Sequence, residues 1–119
     1  MTNNLPISVI FADEFEKELY RLSKKYRNIR KDVEPIIEQL QEKRLLGDRL
    51  AGFGSNLYVY KVRVKNSNIK KGKSGGYRII YLLESETSIL LLTIYSKSDQ
   101  ADIAVDEIQV ILNDFYGNE

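Results

Sequence analysis

Hydrophobic residues in the first half of the chain recur mainly at helical spacing. The segment ISVIFA, residues 7–12, has the pattern of a short first strand. Asp13, with Glu16 three residues later, then predicts the start of a helix. The apolar face of this helix follows at spacings of four, three and four: Phe15, Leu19, Leu22 and Tyr26. A second helix is predicted to begin near Asp32 as its cap, because Pro35 is tolerated in a first turn.

The second half of the chain changes to alternating polarity, which is typical of strands. Residues 45–56 contain three of the seven glycines and are predicted to form a loop. Three strands are then predicted, at residues 58–65, 76–84 and 88–97. A last amphipathic helix is marked by its apolar face: Val105, Ile108, Ile111, Leu112 and Phe115. The order βααβββα predicts a small α+β fold, with an antiparallel-rich sheet packed by helices, in which residues 1–119 form a single domain.

The composition limits the chemistry that the chain can perform. With 119 residues, of which 43% are hydrophobic and 29% charged, the chain fits one ordinary domain. It has no run of about 18 apolar residues, and its polar, acidic start suits neither a signal peptide nor a transit peptide. We therefore expect a cytoplasmic protein with no membrane partner. Because Cys and His are absent, we expect no metal or cofactor, and any chemistry must use Lys, Arg, Tyr or carboxylates.

Positive charge is concentrated in one part of the chain, although the net charge is only +1. Residues 57–80 contain seven cations and no acid, whereas residues 81–119 contain one cation, Lys97, and eight acids. The seven cations are Lys61, Arg63, Lys65, Lys70, Lys71, Lys73 and Arg78. A basic stretch is often only a solvated face of a protein. Its position in the sheet therefore decides what the charge implies.

The predicted strands bring these cations together. Along residues 58–65, alternation directs Lys61, Arg63 and Lys65 to one face and the apolar residues to the other. The next strand begins almost at once with Arg78, which we expect beside that row if the two strands pair. Like charges that face each other destabilise a sheet. The arrangement therefore indicates an anionic partner rather than a purely structural role.

Together, these segments resemble a known protein family. The element order, LYVYKVRVK after a glycine-containing loop, SGGYRIIY at a strand start and LLLTIYSKSD before the last helix are similar to the RelE/HigB-like branch of the RelE/ParE superfamily of bacterial type II toxins. The similarity covers nearly the whole chain. Members of that branch are usually ribosome-dependent mRNA endonucleases, held inactive by an antitoxin. The resemblance implies an endoribonuclease toxin that inhibits translation, with a cognate antitoxin, the ribosome and mRNA as partners.

The resemblance also implies roles for individual residues. In the family, basic residues on the strand before the loop contact RNA and help catalysis, and these positions are Lys61, Arg63 and Lys65 here. The strand-start arginine that stabilises the scissile phosphate corresponds to Arg78, and a basic residue at the end of the following strand corresponds to Lys97. Further RNA-binding candidates are loop lysines and two tyrosines that could act as acids or stack on bases: Lys70, Lys71, Lys73, Tyr81 and Tyr95.

The proton acceptor stays open, because the chain has no His and Tyr116 follows the last helix instead of occupying the family's position. A lysine crowded by other cations is a conceivable base, which leaves Lys61, Lys65 and Lys73.

Two other functions also fit a basic sheet face: inhibition of DNA gyrase, as in the ParE-like branch, and non-catalytic binding of nucleic acid. We expect an antitoxin to cover the basic face or to displace the last helix.

Overall fold

The structure is a computed structural model and describes residues 7–69 and 75–117. In this part of the chain, three helices and a five-stranded sheet follow one another in the order βααββββα. The elements are β1 (Ser8–Phe11), α1 (Asp13–Ser23), α2 (Ile29–Gln41), β2 (Asp48–Arg49), β3 (Val59–Val64), β4 (Tyr77–Ser85), β5 (Ser88–Ser96) and α3 (Val105–Phe115). None of the helices within these two ranges is long and apolar enough to cross a membrane.

The strands of the sheet lie in the order β1-β5-β4-β3-β2. The edge strand β1 runs parallel to β5, and the other three neighbouring pairs are antiparallel. Most residues of the central strands β4 and β5 are buried, on both faces of the sheet, which explains why both strands are nearly continuous apolar runs in the sequence. The predicted α+β fold with an antiparallel-rich sheet is confirmed.

The predicted loop at residues 45–56 contains the short strand β2, which the sequence pattern missed. β2 has two residues, and two residues cannot show an alternating pattern. It pairs with β3 at Lys61 and Tyr60. Gly47, just before β2, has a φ of 85°, and a Cβ there would collide with the carbonyl oxygen of Lys61. A glycine is therefore needed for the chain to approach β3 this closely.

α2 begins at Ile29, three residues before the start predicted near Asp32. Its N-cap is Asn28, whose backbone N–H donates to the side-chain oxygen of Asn68 at 2.9 Å. The carboxylate of Asp32 does not cap the helix. It accepts hydrogen bonds from Ser67, from the backbone N–H at 2.9 Å and from the hydroxyl at 3.1 Å. These contacts join the start of α2 to the segment after β3, so residues distant in sequence stabilise the start of this helix.

Two smaller differences between the sequence prediction and the structure also concern the helices. Asp13 is the first residue of α1, and Ala12 is its N-cap. The charge of Asp13 therefore acts near the positive end of the helix dipole, without a capping hydrogen bond. Pro35 lies inside α2 rather than in its first turn. Because proline has no N–H, α2 lacks one backbone hydrogen bond at that point.

The helices pack on opposite faces of the sheet and bury two hydrophobic clusters. On one face, Phe15 and Leu22 of α1 and Val33 of α2 pack with strand residues: Val62, Val64, Tyr77, Ile79 and Ile94. On the other face, Ile108 and Leu112 of α3 pack with a second set: Val59, Ile80, Leu82, Leu90 and Leu92. Each fully buried side chain of this size stabilises the fold by about 1.5–3 kcal/mol. α3 thus covers the end of the sheet where β4 finishes and β5 begins.

Candidate nucleic-acid interface

Basic side chains from neighbouring strands meet on the sheet face that α3 covers in part. Arg63 of β3 lies directly opposite Arg78 of β4, and Arg78 lies opposite Tyr95 of β5. Lys61 is two residues before Arg63 on β3 and therefore lies on the same face. It is paired with Ile80 of β4. The prediction that Arg78 lies beside the basic row of β3 is confirmed.

Arg78 is buried, with 5% of the residue exposed, whereas the facing Arg63 is exposed. The Arg78 Nη1 donates a hydrogen bond to the carbonyl oxygen of Tyr77 at 3.2 Å, which holds the guanidinium close to the sheet. Two facing positive charges repel each other, and the repulsion is strongest where water is excluded. An oxyanion between them would remove the repulsion and accept hydrogen bonds from both guanidinium groups.

Asp102, in the turn between β5 and α3, reaches this face and connects side chains of two strands. Its Oδ1 accepts hydrogen bonds from Lys61 Nζ at 3.2 Å and from the Tyr95 hydroxyl at 3.3 Å. The backbone N–H of Ile103 donates to the same oxygen at 2.8 Å. The Ile103 N–H, and after it Lys61, hold the pKa of Asp102 below its ordinary value. Sequence reasoning missed Asp102, which it counted only among the acids of residues 81–119.

Tyr95 and Lys97 lie at the same end of the sheet. Tyr95 is 3% exposed, so its ring cannot stack on a base in this structure, and only its hydroxyl remains a candidate for the site. Burial, and after it the charge of Asp102, raises the pKa of Tyr95 to about 12. The Lys97 Nζ donates to the carbonyl oxygen of Ala101 at 2.6 Å. The turn that carries Asp102 therefore also binds Lys97.

A groove of about 660 Å³ gathers four of the predicted site residues: Lys61, Arg63, Arg78 and Lys97. We call it the basic groove. Its other walls come from α2, from β3 and from the segment at β2: Ile36, Gln39, Leu46, Gly47, Asp48 and Val62. Because Ile36, Leu46 and Val62 pack with the cluster of the opposite face, the groove is not confined to the sheet face that carries the cations. Cavities of a few hundred Å³ are typical of sites for small ligands. The basic groove is therefore large enough for a nucleotide of an RNA chain.

The remaining basic candidates lie outside the basic groove. Lys65 follows β3 and is exposed, but it does not line the groove. Within residues 7–69 and 75–117, no hydrogen bond or ion pair involves the side chain of Lys65 or Arg63, so both can contact a ligand. The predicted RNA-binding residues Lys70, Lys71 and Lys73 lie outside the described residues, and their assignment stays a prediction.

The assignment of Tyr81 to RNA binding is wrong, because its side chain lies in the core on the opposite face of the sheet. Tyr81 is 0% exposed and stacks on Tyr60, with ring centroids 5.3 Å apart. Its hydroxyl donates to the carbonyl oxygen of Leu46 at 2.6 Å and accepts from the N–H of the same residue at 3.0 Å. Burial raises the pKa of Tyr81 to about 12. Tyr81 thus anchors the segment before β2 to the core.

Tyr81→Phe tests this structural role. The variant keeps the ring and loses both hydrogen bonds to Leu46, so we expect the free energy of unfolding to fall by about 1–3 kcal/mol. Binding of single-stranded RNA should not change. Urea unfolding and an RNA-binding assay check both statements, and Tyr60→Phe is the matched control, because no hydrogen bond of its hydroxyl occurs within the described ranges. Weaker RNA binding at unchanged stability would restore Tyr81 to the site.

Tyr116, at the end of α3, makes a structural contact away from the basic groove. Its hydroxyl donates to Glu84 Oε2 at 2.6 Å, and Ser88 Oγ donates to Glu84 Oε1 at 2.6 Å. The hydrogen bond from Ser88, and after it that from Tyr116, holds the pKa of Glu84 below its ordinary value. The contact ties α3 to the β4–β5 hairpin, so Tyr116 does not supply a proton acceptor at the groove.

Two comparisons with known proteins bear on the fold and the family. The chain is similar to the free-state structure of a mutant of E. coli toxin RelE in which two arginines are replaced by alanine. This match has a TM-score of 0.52 and 18% sequence identity, and it covers 88% of this chain and 92% of that chain, which shows the same fold. A family model described as the RelE toxin of the RelE/RelB toxin–antitoxin system matches residues 15–113. The chain therefore belongs to the RelE toxin family.

Proposed function

We propose that this toxin is a ribosome-dependent endoribonuclease, which cuts mRNA and thereby stops translation. The observation that carries the proposal is the basic groove, where Arg78 faces Arg63 and where Lys61 and Lys97 stand beside them. Cations in such an arrangement hold a phosphate and stabilise the negative charge that develops on it during cleavage. Because the family is one of toxin–antitoxin systems, a cognate antitoxin is the expected protein partner.

Cleavage would begin with attack of an RNA 2′-hydroxyl on the adjacent phosphorus. The 2′-oxygen forms a bond to phosphorus and the bond to the 5′-oxygen breaks, which gives a 2′,3′-cyclic phosphate and a 5′-hydroxyl. A base takes the proton of the 2′-hydroxyl, and the leaving 5′-oxygen gains a proton. Arg78 and Arg63 would bind the non-bridging oxygens in the two-pronged way that guanidinium groups allow. Lys61 and Lys97 would bind neighbouring phosphates.

The proton acceptor has to come from a small set of groups, because the chain contains no histidine. Lys65 stays a candidate, as does Lys73, which lies outside the described residues. Lys61 does not, because its ammonium group donates to Asp102 Oδ1 and is assigned here to phosphate binding. With a pKa of about 12, Tyr95 is suited to donate a proton rather than to accept one near neutral pH. A site without a strong base depends on a partner that aligns the 2′-hydroxyl with its leaving group, and this is our reason for expecting a need for the ribosome.

Cleavage of one mRNA with and without programmed ribosomes tests the proposal. The toxin should cut ribosome-bound mRNA at least about 100-fold faster than the same RNA free in solution, because alignment of reacting groups has effects of this size or larger. Arg78→Ala at the same concentration controls for a contaminating nuclease. Equal rates on free and bound RNA would contradict the dependence on the ribosome, and no cleavage of either would contradict the endonuclease.

Expression of the toxin in bacteria adds a readout that separates this function from inhibition of DNA gyrase. If the toxin cuts mRNA, protein synthesis should stop before DNA replication does. The reverse order, with a DNA-damage response, would favour gyrase as the target.

A further inference from the structure

The turn between β5 and α3 places a negative charge against Lys61, one of the cations of the basic groove. Asp102 Oδ1 lies 3.2 Å from Lys61 Nζ and accepts its hydrogen bond. In the same turn, the carbonyl oxygen of Ala101 accepts a hydrogen bond from Lys97 Nζ at 2.6 Å. Two of the four groove cations are therefore bound to this turn.

The ion pair between Asp102 and Lys61 contributes little to folding. The side chains of Lys61 and Asp102 are 29% and 66% exposed, and water screens ion pairs as exposed as this one. The start of α3 has its own stabilising contact, because Glu107 Oε1 accepts a hydrogen bond from the backbone N–H of Ala104 at 3.1 Å. The hydrogen bonds that Asp102 accepts from Ile103 and Tyr95 need only an oxygen, so the stability of the fold does not explain the ion pair with Lys61.

For the binding of RNA, the same charge is unfavourable. Every nucleotide carries a negative phosphate, and phosphates bind to a protein through its lysines and arginines. A carboxylate within hydrogen-bonding distance of Lys61 competes with a phosphate for that cation. It also repels the phosphate, because the two negative groups would lie only a few ångströms apart. This competition weakens the binding of every RNA, whatever its sequence.

We infer that Asp102 is a specificity-determining residue, which occupies Lys61 in place of a phosphate and so weakens binding to RNA that the ribosome does not hold. The inference rests on the proposed function. The ribosome presents mRNA to the groove at a high effective concentration, which displaces the carboxylate, whereas free RNA competes only at its bulk concentration. Without Asp102, Lys61 would bind a further phosphate of abundant RNA that is not a substrate.

Asp102→Asn separates the charge of this side chain from its hydrogen bonds. Asparagine keeps an acceptor oxygen for the Ile103 N–H and the Tyr95 hydroxyl and has nearly the same volume, so the turn should keep its structure. Asp106→Asn is the matched control, because Asp106 is an exposed acid in the first turn of α3 with the same change in net charge. No contact between Asp106 and Lys61 occurs in the part of the chain that the structure describes. Circular dichroism checks that both variants fold.

Binding is measured by fluorescence anisotropy with a short, fluorescein-labelled, single-stranded RNA over a range of salt concentrations. Asp102→Asn should bind this RNA about 5-fold to 10-fold more tightly than the wild type. Asp106→Asn should stay within about twofold of the wild type, since salt screens its more distant charge. Because Lys61 is free to contact one more phosphate, the slope of log affinity against log salt should steepen by about 0.7 in Asp102→Asn.

A double-mutant cycle locates the effect at Lys61. In a Lys61→Met background, Asp102→Asn should give a smaller gain in RNA affinity, because the cation for which the carboxylate competes is gone. On programmed ribosomes, the preference of Asp102→Asn for bound over free mRNA should fall by about the factor by which free RNA binds more tightly.

Unchanged or weaker RNA binding by a folded Asp102→Asn protein would overturn the inference. An equal gain from Asp106→Asn would also overturn it, because net charge alone would then explain the result. Slower cleavage at unchanged RNA binding would make Asp102 a positioning residue and would overturn it as well. Since anisotropy requires no cleavage, the two proposals can fail separately. A wild-type protein that cuts no mRNA contradicts the proposed function, while tighter binding by Asp102→Asn still supports competition at Lys61.

Discussion

Arg78→Ala is expected to lower the rate of mRNA cleavage on programmed ribosomes by on the order of 100-fold to 1,000-fold. The loss of one positioned donor that stabilises developing negative charge typically has an effect of this size. Arg78 lies between Arg63 on β3 and Tyr95 on β5, and it is 5% exposed. A guanidinium held this close to the sheet acts where little water is present, so its charge is weakly screened.

The same substitution is expected to leave the fold intact. Alanine loses the packing of the buried arginine stem, which destabilises the protein, and it also removes the repulsion between Arg78 and Arg63, which stabilises it. Because these effects have opposite signs, we expect the free energy of unfolding to change by less than about 2 kcal/mol. Circular dichroism and urea unfolding measure this change separately from the cleavage rate.

Two further variants make the result specific to Arg78. Arg78→Lys should recover only part of the rate, because an ammonium group is a point charge and cannot bind two oxygens as a guanidinium does. Arg30→Ala removes an exposed arginine of α2 that borders a separate groove near Phe11 and Leu19, and it should cut at the wild-type rate. A folded Arg78→Ala protein that cuts mRNA as fast as the wild type would contradict the catalytic role.

The spacing of apolar residues is sufficient to predict the main elements and the basic face. Alternation along β3 places Lys61 and Arg63 on one side, because Val62 and its apolar neighbours are needed in the core. Arg78 follows a pair of glycines at the start of β4, and the structure explains one of them. A Cβ on Gly76 would collide with the carbonyl oxygen of Val64, so glycine lets the start of β4 approach the end of β3.

The features that the sequence does not predict depend on contacts between distant segments. The start of α2 involves the side chain of Asn68, which lies 40 residues after Asn28. Asp102 reaches Lys61 on β3 only because the turn after β5 folds back over the sheet. No spacing along the chain indicates this approach. In the sequence, Asp102 is one of eight acids in an acidic segment and looks like its neighbours.

Alternation along β4 is sufficient to place Tyr81 on the opposite face from Arg78, but it does not determine which face Tyr95 occupies. Tyr81 comes three residues after Arg78, and an odd separation along a strand puts two side chains on opposite faces. Alternation alone therefore argues against a shared site for these two residues. The face of Tyr95 depends instead on the register between β5 and β4, which shifts between Ile80 and Tyr81. Such an irregularity changes which residues share a face and is not visible in the pattern of either strand.

Arg63→Gln is expected to make the protein more stable and less active at the same time. Arg63 faces Arg78 directly in the β3–β4 ladder, and facing like charges destabilise a sheet by about 0.2–1 kcal/mol. Glutamine removes the charge and keeps much of the length of the side chain. The free energy of unfolding, measured with urea, should therefore rise by about 0.2–1 kcal/mol.

The rate of cleavage on programmed ribosomes should fall by about 10-fold to 100-fold in Arg63→Gln, because a hydrogen bond to a charged group contributes about 1.5–3 kcal/mol. Arg44→Gln is the matched control. Arg44 is also an exposed arginine, but it pairs with Glu42 at 3.7 Å and does not line the basic groove, so neither stability nor rate should change much. If Arg63 only supported the fold, the Arg63→Gln protein would be less stable than the wild type and would cut mRNA at the wild-type rate. That result would contradict a phosphate site between Arg63 and Arg78. Two arginines that repel each other and so destabilise the sheet are expected to face each other only where ligand binding requires both of them.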